Sequence, residues 1–375
     1  MMLAGREMRS KIDETGTLTV SLERVELRDP TDDEVIVRVE AAPINPTDLG
    51  LMLGPADVSS HEQIQVGQEP ALSFSVPSGR LAGVRNRIGQ SLAVGSEGAG
   101  TVVAAGRSVA DLQGKRVGMI GGAMYADYRK IKACDVVALP EGTSAVDGAS
   151  MFVNPLTALG FVETARSEGH TAIVHTAAAS NLGQMLQKIC LADGIPLVNI
   201  VRSSEQEDIL RGIGAVHVLN TNDADFSEKL QDKVEETGAT IAFDAIGGGT
   251  LGSKILQAME RAATLRMTKY SRYGSDKFKQ LYVYGALDVA PITLNRLTFG
   301  FEWSVSGWLL FPFLRKAGKE VEDRLRQRIV NELTTTFASH YTRTIGLAEA
   351  LDPGILRAYQ RMSTGEKFLI DPTRG

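Results

Sequence analysis

The segment with the clearest potential for chemistry is VHTAAASNLGQMLQKI, at positions 174–189. It reads as a buried strand, then a turn of small residues, then an amphipathic helix. Small residues at such a turn let the backbone approach a pyrophosphate, and the helix N-terminus supplies N–H groups and partial positive charge. Ala177 and Ser180 stand where the usual fingerprint has its first two glycines, and Gly183 supplies the last. The segment therefore fits a dinucleotide-binding turn, but it also fits an ordinary strand-to-helix connection.

The next predicted strand, PLVNIVR, ends at Arg202, and Ser203 and Ser204 follow it. A site that prefers NAD carries a carboxylate at this point for the ribose 2′-hydroxyl. A guanidinium and two hydroxyls suit a 2′-phosphate instead. We therefore predict NADPH as the cofactor, with a solvated strand-end charge as the alternative for Arg202.

The elements that must position these residues fall into two groups. TLTVSLERVEL (17–27) and EVIVRVEAAPI (34–44) alternate like half-buried antiparallel strands, and β-type patterns continue to about residue 140. From about residue 171, short apolar strands alternate with amphipathic helices, which is typical of a parallel sheet built from βαβ units. The predicted fold class is α/β. Residues 54–92 show little periodicity, and we expect a long loop or irregular insertion there.

Length and composition narrow the function classes. The 375 residues predict two domains, and the net charge of −5 leaves no strong positive field to hold nucleic acid. No apolar run is long enough to span a membrane, and the N-terminus lacks the apolar core of a signal peptide. Two cysteines imply no disulfide framework, so a cytoplasmic location is expected.

Several weak motifs occur in an order and spacing that resemble the medium-chain dehydrogenase/reductase superfamily, in its zinc-free, quinone oxidoreductase-like branch. The segments are EAAPINPTDLGLMLG (40–54), GSEGAGTVVAAG (95–106), YADY (125–128), VALPEGTSAVDGASMFVNPLTAL (137–159), TAAASNLG (176–183), DAIGG (244–248) and YVYGAL (282–287). The resemblance covers most of the chain. It implies a GroES-like, mostly β substrate domain from residues 1–151 and 309–375, and a Rossmann doubly wound parallel sheet over residues 152–308. It also implies a homodimer that pairs through an edge strand at 281–287.

The resemblance, together with the turn motifs, gives a set of candidate site residues. The cofactor-binding candidates are Asn154, Thr157, Ala177, Ala179, Ser180, Asn181, Leu182, Gly183, Arg202, Ser203, Gly247, Gly285 and Leu287. Asn45 and Asp48 are the catalytic candidates, although Asp48 fits a helix cap equally well. Phe301, Trp303 and Trp308 could form an apolar wall for a planar acceptor, with ordinary core packing as the alternative. His175 lies inside a predicted strand and is expected to be structural.

No metal site is expected, because zinc-dependent relatives carry Cys at the position of Asn45 and His at the position of Ser96. The resemblance then implies hydride transfer from NADPH to a quinone or a similar conjugated acceptor. An NADPH-dependent enoyl-thioester or enone reductase is the first alternative. Such reductases usually carry a Tyr shortly after the NPTD-like segment, and this chain has GPAD (54–57) there. A redox-inert NADPH-binding structural protein is the second alternative.

Two long segments exceed the family pattern. We expect residues 56–92 to shape or cover the acceptor site, and residues 267–280 to reach the cofactor edge or a partner subunit. Tolerated surface decoration is the alternative for each.

Overall fold

The computed structural model describes residues 3–361 and 366–374. The chain divides into two compact units, unit 1 (Met1–Val153 and Val330–Gly375) and unit 2 (Asn154–Ile329). The first boundary lies close to the expected one. The second lies after residue 329 instead of residue 308, because two helices that follow residue 308 pack in unit 2.

The first part of unit 1 is mostly β. Its strands are β1 (Leu3–Ile12), β2 (Thr17–Leu27), β3 (Glu34–Pro43), β4 (Asp57–Val66), β5 (Glu69–Ser75), β6 (Ser91–Ala93), β7 (Glu97–Ala105), β8 (Arg116–Ile120), β9 (Tyr128–Lys132) and β10 (Val136–Ala138). Three short helices join them, α1 (Pro46–Met52), α2 (Ser78–Leu81) and α3 (Ala145–Gly148). One sheet has the strand order β4-β5-β2-β1-β6. Apolar side chains of these strands form the unit 1 core, which includes Met8, Val37 and Phe74.

The expectation of a long loop over residues 54–92 is wrong. β4 and β5 form an antiparallel hairpin, and β5 pairs with β2, with Phe74 opposite Leu18. Leu72 and Phe74 are buried, whereas most of β4 is exposed and polar. An edge strand with few apolar residues carries little periodicity, so the sequence pattern hid it.

Unit 2 alternates strands and helices. Its elements are α4 (Val153–Ser167), β11 (Ile173–Thr176), α5 (Asn181–Ala192), β12 (Leu197–Val201), α6 (Ser204–Gly212), β13 (His217–Asn220), α7 (Phe226–Thr237), β14 (Ile241–Asp244), α8 (Leu251–Leu265), β15 (Lys279–Val283), β16 (Trp303–Gly307), α9 (Leu310–Ala317) and α10 (Lys319–Asn331). The strands are all parallel, in the order β13-β12-β11-β14-β15-β16. This is the Rossmann order, and it confirms the predicted α/β class with a doubly wound parallel sheet.

Two features at the far side of this sheet differ from the expectations. β15 includes only the first two residues of the YVYGAL segment, and it is an internal strand because β16 pairs with it, with Val305 opposite Leu281. The edge strand is therefore β16 and not residues 281–287. The helices α9 and α10 then pack back on unit 2, where Phe313 stacks on Trp308 and Arg328 pairs with Asp193.

The chain returns to unit 1 through β17 (Arg343–Ile345), α11 (Pro353–Gln360) and β18 (Phe368–Ile370). β18 pairs antiparallel with β3, with Leu369 opposite Pro43, and so completes the sheet β10-β8-β7-β3-β18-β17. Among the residues that the structure describes, no helix is both long and apolar enough to cross a bilayer.

Candidate cofactor and active site

The turn between β11 and α5 has the geometry that a dinucleotide-binding turn requires. Ala177 adopts a positive φ of 50°, the left-handed conformation that usually selects glycine. The Ser180 hydroxyl accepts a hydrogen bond from the Gly183 N–H at 3.2 Å and so caps α5. A Cβ on Gly183 would lie 2.1 Å from the Ala178 carbonyl oxygen, so only glycine fits there. Asn181 and Leu182 form the first turn of α5, and Ala179 is buried beneath it.

A buried carboxylate organises the neighbouring loop after β14. The Thr176 hydroxyl donates to Asp244 Oδ1 at 2.6 Å and accepts from the Ala245 N–H at 2.8 Å. Asp244 also accepts the N–H groups of Ile246 and Gly247. Because β11 and β14 are adjacent at the point where the strand order reverses, this network shapes the crevice in which such folds bind ligands. The sequence analysis missed Asp244, although it opens the quoted DAIGG motif.

The loops after β14 and β15 approach each other closely. A Cβ on Gly247 would lie 2.6 Å from the Gly285 carbonyl oxygen, and a Cβ on Gly285 would lie 2.6 Å from the Ala245 oxygen. The Leu287 N–H donates to the same Ala245 oxygen at 3.2 Å, and the Leu287 side chain is exposed. Both glycines are therefore required by close backbone contact, and the two loops form one wall of the crevice.

Arg202 and Ser203 lie at the carboxyl end of β12, on the same edge of the sheet. The backbone of Arg202 is fixed, since its N–H donates to Gln206 Oε1 at 3.0 Å and its carbonyl accepts from Asn222 at 2.7 Å. The Arg202 residue itself is exposed. The Ser203 hydroxyl accepts from the Gln206 N–H and caps α6. The strand end thus presents a guanidinium on a rigid backbone.

Asn154 lies in the first turn of α4, next to Pro155, and Thr157 begins the second turn; proline is well tolerated at a helix start. Thr157 is buried and Asn154 is half-buried.

Most of the cofactor-binding candidates of unit 2 lie together at the carboxyl edge of the sheet. They are Ala177–Gly183, Arg202, Ser203, Gly247, Gly285 and Leu287.

The candidates Asn45 and Asp48 are both buried at the start of α1 in unit 1. Asp48 Oδ2 accepts the Asn45 backbone N–H at 2.9 Å, which is the helix-capping role. The Asn45 side-chain amide donates to Glu97 Oε1 at 2.9 Å. Glu97 Oε2 accepts the N–H groups of Phe152 and Val153. Burial raises the pKa values of both the Glu97 and Asp48 carboxyls.

Lys367, which the sequence analysis did not single out, lies beside this pair. Its ammonium donates to the buried Ser150 hydroxyl at 2.7 Å, and Ser150 shares a 2.6 Å hydrogen bond with the Tyr341 hydroxyl. Burial lowers the pKa of Lys367 to about 8, and the charges of Glu97 and Asp48 oppose that shift. These residues are distant in sequence, and only the pairing of β18 with β3 brings Lys367 to this position.

The structure does not bring Phe301, Trp303 and Trp308 together as a wall. Phe301 is exposed, and Trp303, at the amino end of β16, packs on Phe299. Trp308 is buried beyond the carboxyl end of β16, where its indole N–H donates to Thr164 at 3.0 Å. Core packing explains Trp308, because its ring also packs against Phe161.

His175 and Cys190 are both buried in unit 2. His175 is fully buried in β11 with Nε2 2.8 Å from the Tyr284 hydroxyl, and burial lowers the pKa of His175 to about 3. Cys190 is buried and Cys134 is exposed. No group of three or more His, Cys, Asp or Glu side chains is arranged to hold a metal within residues 3–361 and 366–374.

The segment before β15 lies at the amino edge of the parallel sheet, so the expectation that residues 267–280 reach the cofactor edge is wrong. Within it, Ser275 and Lys279 are buried against the Glu260 carboxylate of α8. Tyr270 and Tyr273 remain exposed.

The sequence and the fold were both compared with those of known proteins. No family model matches the chain. It is 25% identical to a provisionally named NADPH:quinone reductase of Mesorhizobium loti, with a TM-score of 0.73 over 98% of both chains. Over 286 residues it is 26% identical to the mitochondrial enoyl-[acyl-carrier-protein] reductase of Xenopus tropicalis, across 73% of this chain and 67% of that protein. The structural neighbours and relatives are members of the medium-chain dehydrogenase/reductase superfamily, which this chain resembles in fold and in sequence.

The chain also matches the rat synaptic vesicle membrane protein VAT-1 homolog, with 27% identity over 179 residues. That match spans 46% of this chain and 44% of the rat protein, less than half of either. These relatives are oxidoreductases of the zinc-free branch, so they support the expected resemblance to that branch. They carry both quinone reductase and enoyl reductase names, so they do not select one acceptor.

Proposed function

We propose that this protein is a medium-chain dehydrogenase/reductase that uses NADPH to reduce a conjugated acceptor, with a quinone as the first candidate. The observation that carries the proposal is the exposed guanidinium of Arg202 on a fixed backbone at the carboxyl edge of a Rossmann sheet. A 2′-phosphate is the part of NADPH that such a group recognises. The full-length similarity to a protein named as an NADPH:quinone reductase supports the same cofactor and acceptor class.

Each part of NADPH has candidate binding residues at the carboxyl edge of the unit 2 sheet. The turn from Ala177 to Gly183 would hold the pyrophosphate at the N-terminus of α5. Arg202 and Ser203 would hold the 2′-phosphate. Gly247, Gly285 and Leu287, with Asn154 and Thr157 of α4, would lie toward the nicotinamide. When bound, NADPH supplies a hydride, and the chain's own share is to orient the acceptor and exclude water.

An enoyl-thioester or enone reductase is the second candidate, because the frog relative is named as an enoyl reductase. The absence of Tyr from GPAD (54–57) favours the quinone, since a reduced quinone needs no dedicated proton donor on that loop.

The acceptor is tested by following NADPH oxidation with 1,4-benzoquinone, 9,10-phenanthrenequinone and crotonyl-CoA. We expect turnover with both quinones and kcat/KM for crotonyl-CoA at least about tenfold lower, a difference of about 1.4 kcal/mol in transition-state binding. A higher kcat/KM for crotonyl-CoA would select the enoyl reductase. Tight NADPH binding without turnover on any acceptor would select the redox-inert structural protein.

We also propose that two copies pair through β16, the outermost strand of the unit 2 sheet. Exposed apolar side chains flank this strand, with Phe301 before it and Leu309 and Phe311 after it. We expect light scattering to give about twice the 40.3 kDa chain mass, and the double change Leu309→Asp and Phe311→Asp to give the single-chain mass. A single-chain mass for the wild type would contradict the pairing. The exposed change Val216→Asp, on the opposite side of the sheet near β13, is the matched control.

A further inference from the structure

The two strands that meet where the sheet order of unit 2 reverses both end in a buried polar residue. Thr176 is the last residue of β11, and Asp244 is the last residue of β14. The Thr176 hydroxyl donates to Asp244 Oδ1 at 2.6 Å and accepts the Ala245 N–H at 2.8 Å. A single hydroxyl on β11 therefore holds both the end of β14 and the start of the loop that follows it.

The Asp244 carboxylate holds the next two residues of that loop. Its Oδ1 accepts the Ile246 N–H at 2.9 Å, and its Oδ2 accepts the Gly247 N–H at 3.2 Å. Together with Ala245, three consecutive N–H groups are bonded to Thr176 and Asp244. Consecutive N–H groups bind anions when they are free to point at a ligand. The loop after β14 is therefore not built to hold a phosphate.

The turn between β11 and α5, which suits the pyrophosphate, is fixed by other contacts. The Ala178 N–H donates to the Ile200 carbonyl of β12 at 3.2 Å, and the Ser180 hydroxyl accepts the Gly183 N–H. Neither contact involves the loop after β14. Loss of the Thr176 hydroxyl should therefore loosen that loop and leave the turn in place.

The loop after β14 also supports the loop after β15. The Leu287 N–H donates to the Ala245 carbonyl at 3.2 Å, and the Asp288 N–H donates to the Ile246 carbonyl at 2.8 Å. Both accepting carbonyls belong to the segment whose N–H groups Thr176 and Asp244 hold. A shift of the first loop would therefore shift the second.

We propose that Thr176 is a positioning residue for the nicotinamide half of the cofactor, an inference that rests on the proposed binding of NADPH. Its hydroxyl holds the two loops in the shape that receives this half before the cofactor arrives. A preformed site avoids the entropy cost of ordering the loops during binding. The adenosine half, with its 2′-phosphate at Arg202, does not depend on Thr176.

The change Thr176→Val tests this role, because it removes the hydroxyl and keeps the branched shape that packs in β11. We expect the dissociation constants of NADPH and NADH both to rise about tenfold. The dissociation constant of 2′,5′-ADP should not change, because this fragment lacks the nicotinamide half. Thr176→Ser keeps the hydroxyl and should restore the wild-type constants. Titration calorimetry measures all three ligands.

Thr240→Val is the matched control at the opposite edge of the same sheet. Thr240 directly precedes β14 and is buried, and its hydroxyl lies 2.7 Å from His170 Nδ1. The change removes the same kind of buried hydroxyl, so urea unfolding should show a similar loss of stability in both valine variants. Thr240→Val should leave all three dissociation constants unchanged, whereas Thr176→Val should not.

The inference is overturned if Thr176→Val binds NADPH as the wild type does, if its affinity for 2′,5′-ADP falls equally, or if Thr240→Val causes the same loss. Asp244→Asn removes an acceptor oxygen from the same loop and should reproduce the pattern of Thr176→Val, so it decides the question if that variant does not fold. A wild type that binds neither NADPH nor NADH contradicts the proposed function itself. Wild-type binding of both cofactors, with Thr176→Val unaffected, overturns this inference alone.

Discussion

Replacing Arg202 with alanine is expected to raise the dissociation constant for NADPH by about 10- to 100-fold and to leave that for NADH nearly unchanged. A hydrogen bond to a charged group contributes about 1.5–3 kcal/mol, and each 1.4 kcal/mol corresponds to about tenfold in affinity. Only NADPH carries the phosphate that the guanidinium contacts in the proposed complex, so the loss should be selective. Fluorescence titration of both reduced cofactors measures it.

The control for this experiment lies on the adjacent helix. Arg211 of α6 is exposed and pairs with Glu207, so Arg211→Ala should change neither dissociation constant. Equal losses of NADPH and NADH affinity in Arg202→Ala would contradict recognition of the phosphate, and an unchanged preference would leave Arg202 as a solvated strand-end charge. Salt should weaken NADPH binding more in the wild type than in the variant, since the contact is electrostatic.

Replacing Lys279 with methionine is expected to lower the free energy of unfolding of unit 2 by about 3–5 kcal/mol, because the change leaves the buried Glu260 carboxylate without its cation. The Lys279 ammonium is fully buried and pairs directly with Glu260. Ser275 completes the arrangement, since its hydroxyl and its backbone N–H both donate to the same carboxylate, at 2.5 and 2.7 Å. The ion pair therefore holds the end of the segment 267–280 against α8.

Urea unfolding followed by tryptophan fluorescence measures this change in unit 2 directly, because both tryptophans of the chain lie there. The control Lys229→Met breaks an exposed ion pair with Asp223 and should change the free energy of unfolding little, because water screens both charges. Replacing Lys279 and Glu260 together with methionine should recover much of the loss, because no unpaired charge then remains. A loss in Lys279→Met no larger than in the control would show that water reaches the Glu260 carboxylate.

The sequence predicted those parts of the fold in which local pattern and burial agree. β2, β3, β11 and β12 are continuous or alternating apolar runs, and each is found close to its expected position. β16, with the sequence WSVSG, was missed because an edge strand half-exposed to water alternates too weakly. Without β16, the edge of the sheet was expected at residues 281–287.

The residues of the candidate site also differ in how far the sequence could predict them. The residues at the carboxyl edge of unit 2 follow local turn chemistry, such as the small residues before Gly183, and could be found from the sequence. Glu97 and Lys367 could not, because their proximity depends on strand pairing between segments far apart in the chain. Glu260 and Lys279 carry no local signal of pairing in the sequence, and only their mutual burial in the structure reveals it.

The interruption of unit 1 by the whole of unit 2 has a consequence for synthesis on the ribosome. Unit 2 is one continuous stretch, Asn154–Ile329, so all of its strands leave the ribosome before the last segment of unit 1 is made. The sheet of unit 1 must wait for β18, which pairs with β3 across more than three hundred residues of chain. Such non-local pairing is slow, and until it forms the open side of β3 is exposed to other chains. The nascent protein is therefore most vulnerable to aggregation at a stage when its Rossmann sheet has already been completed.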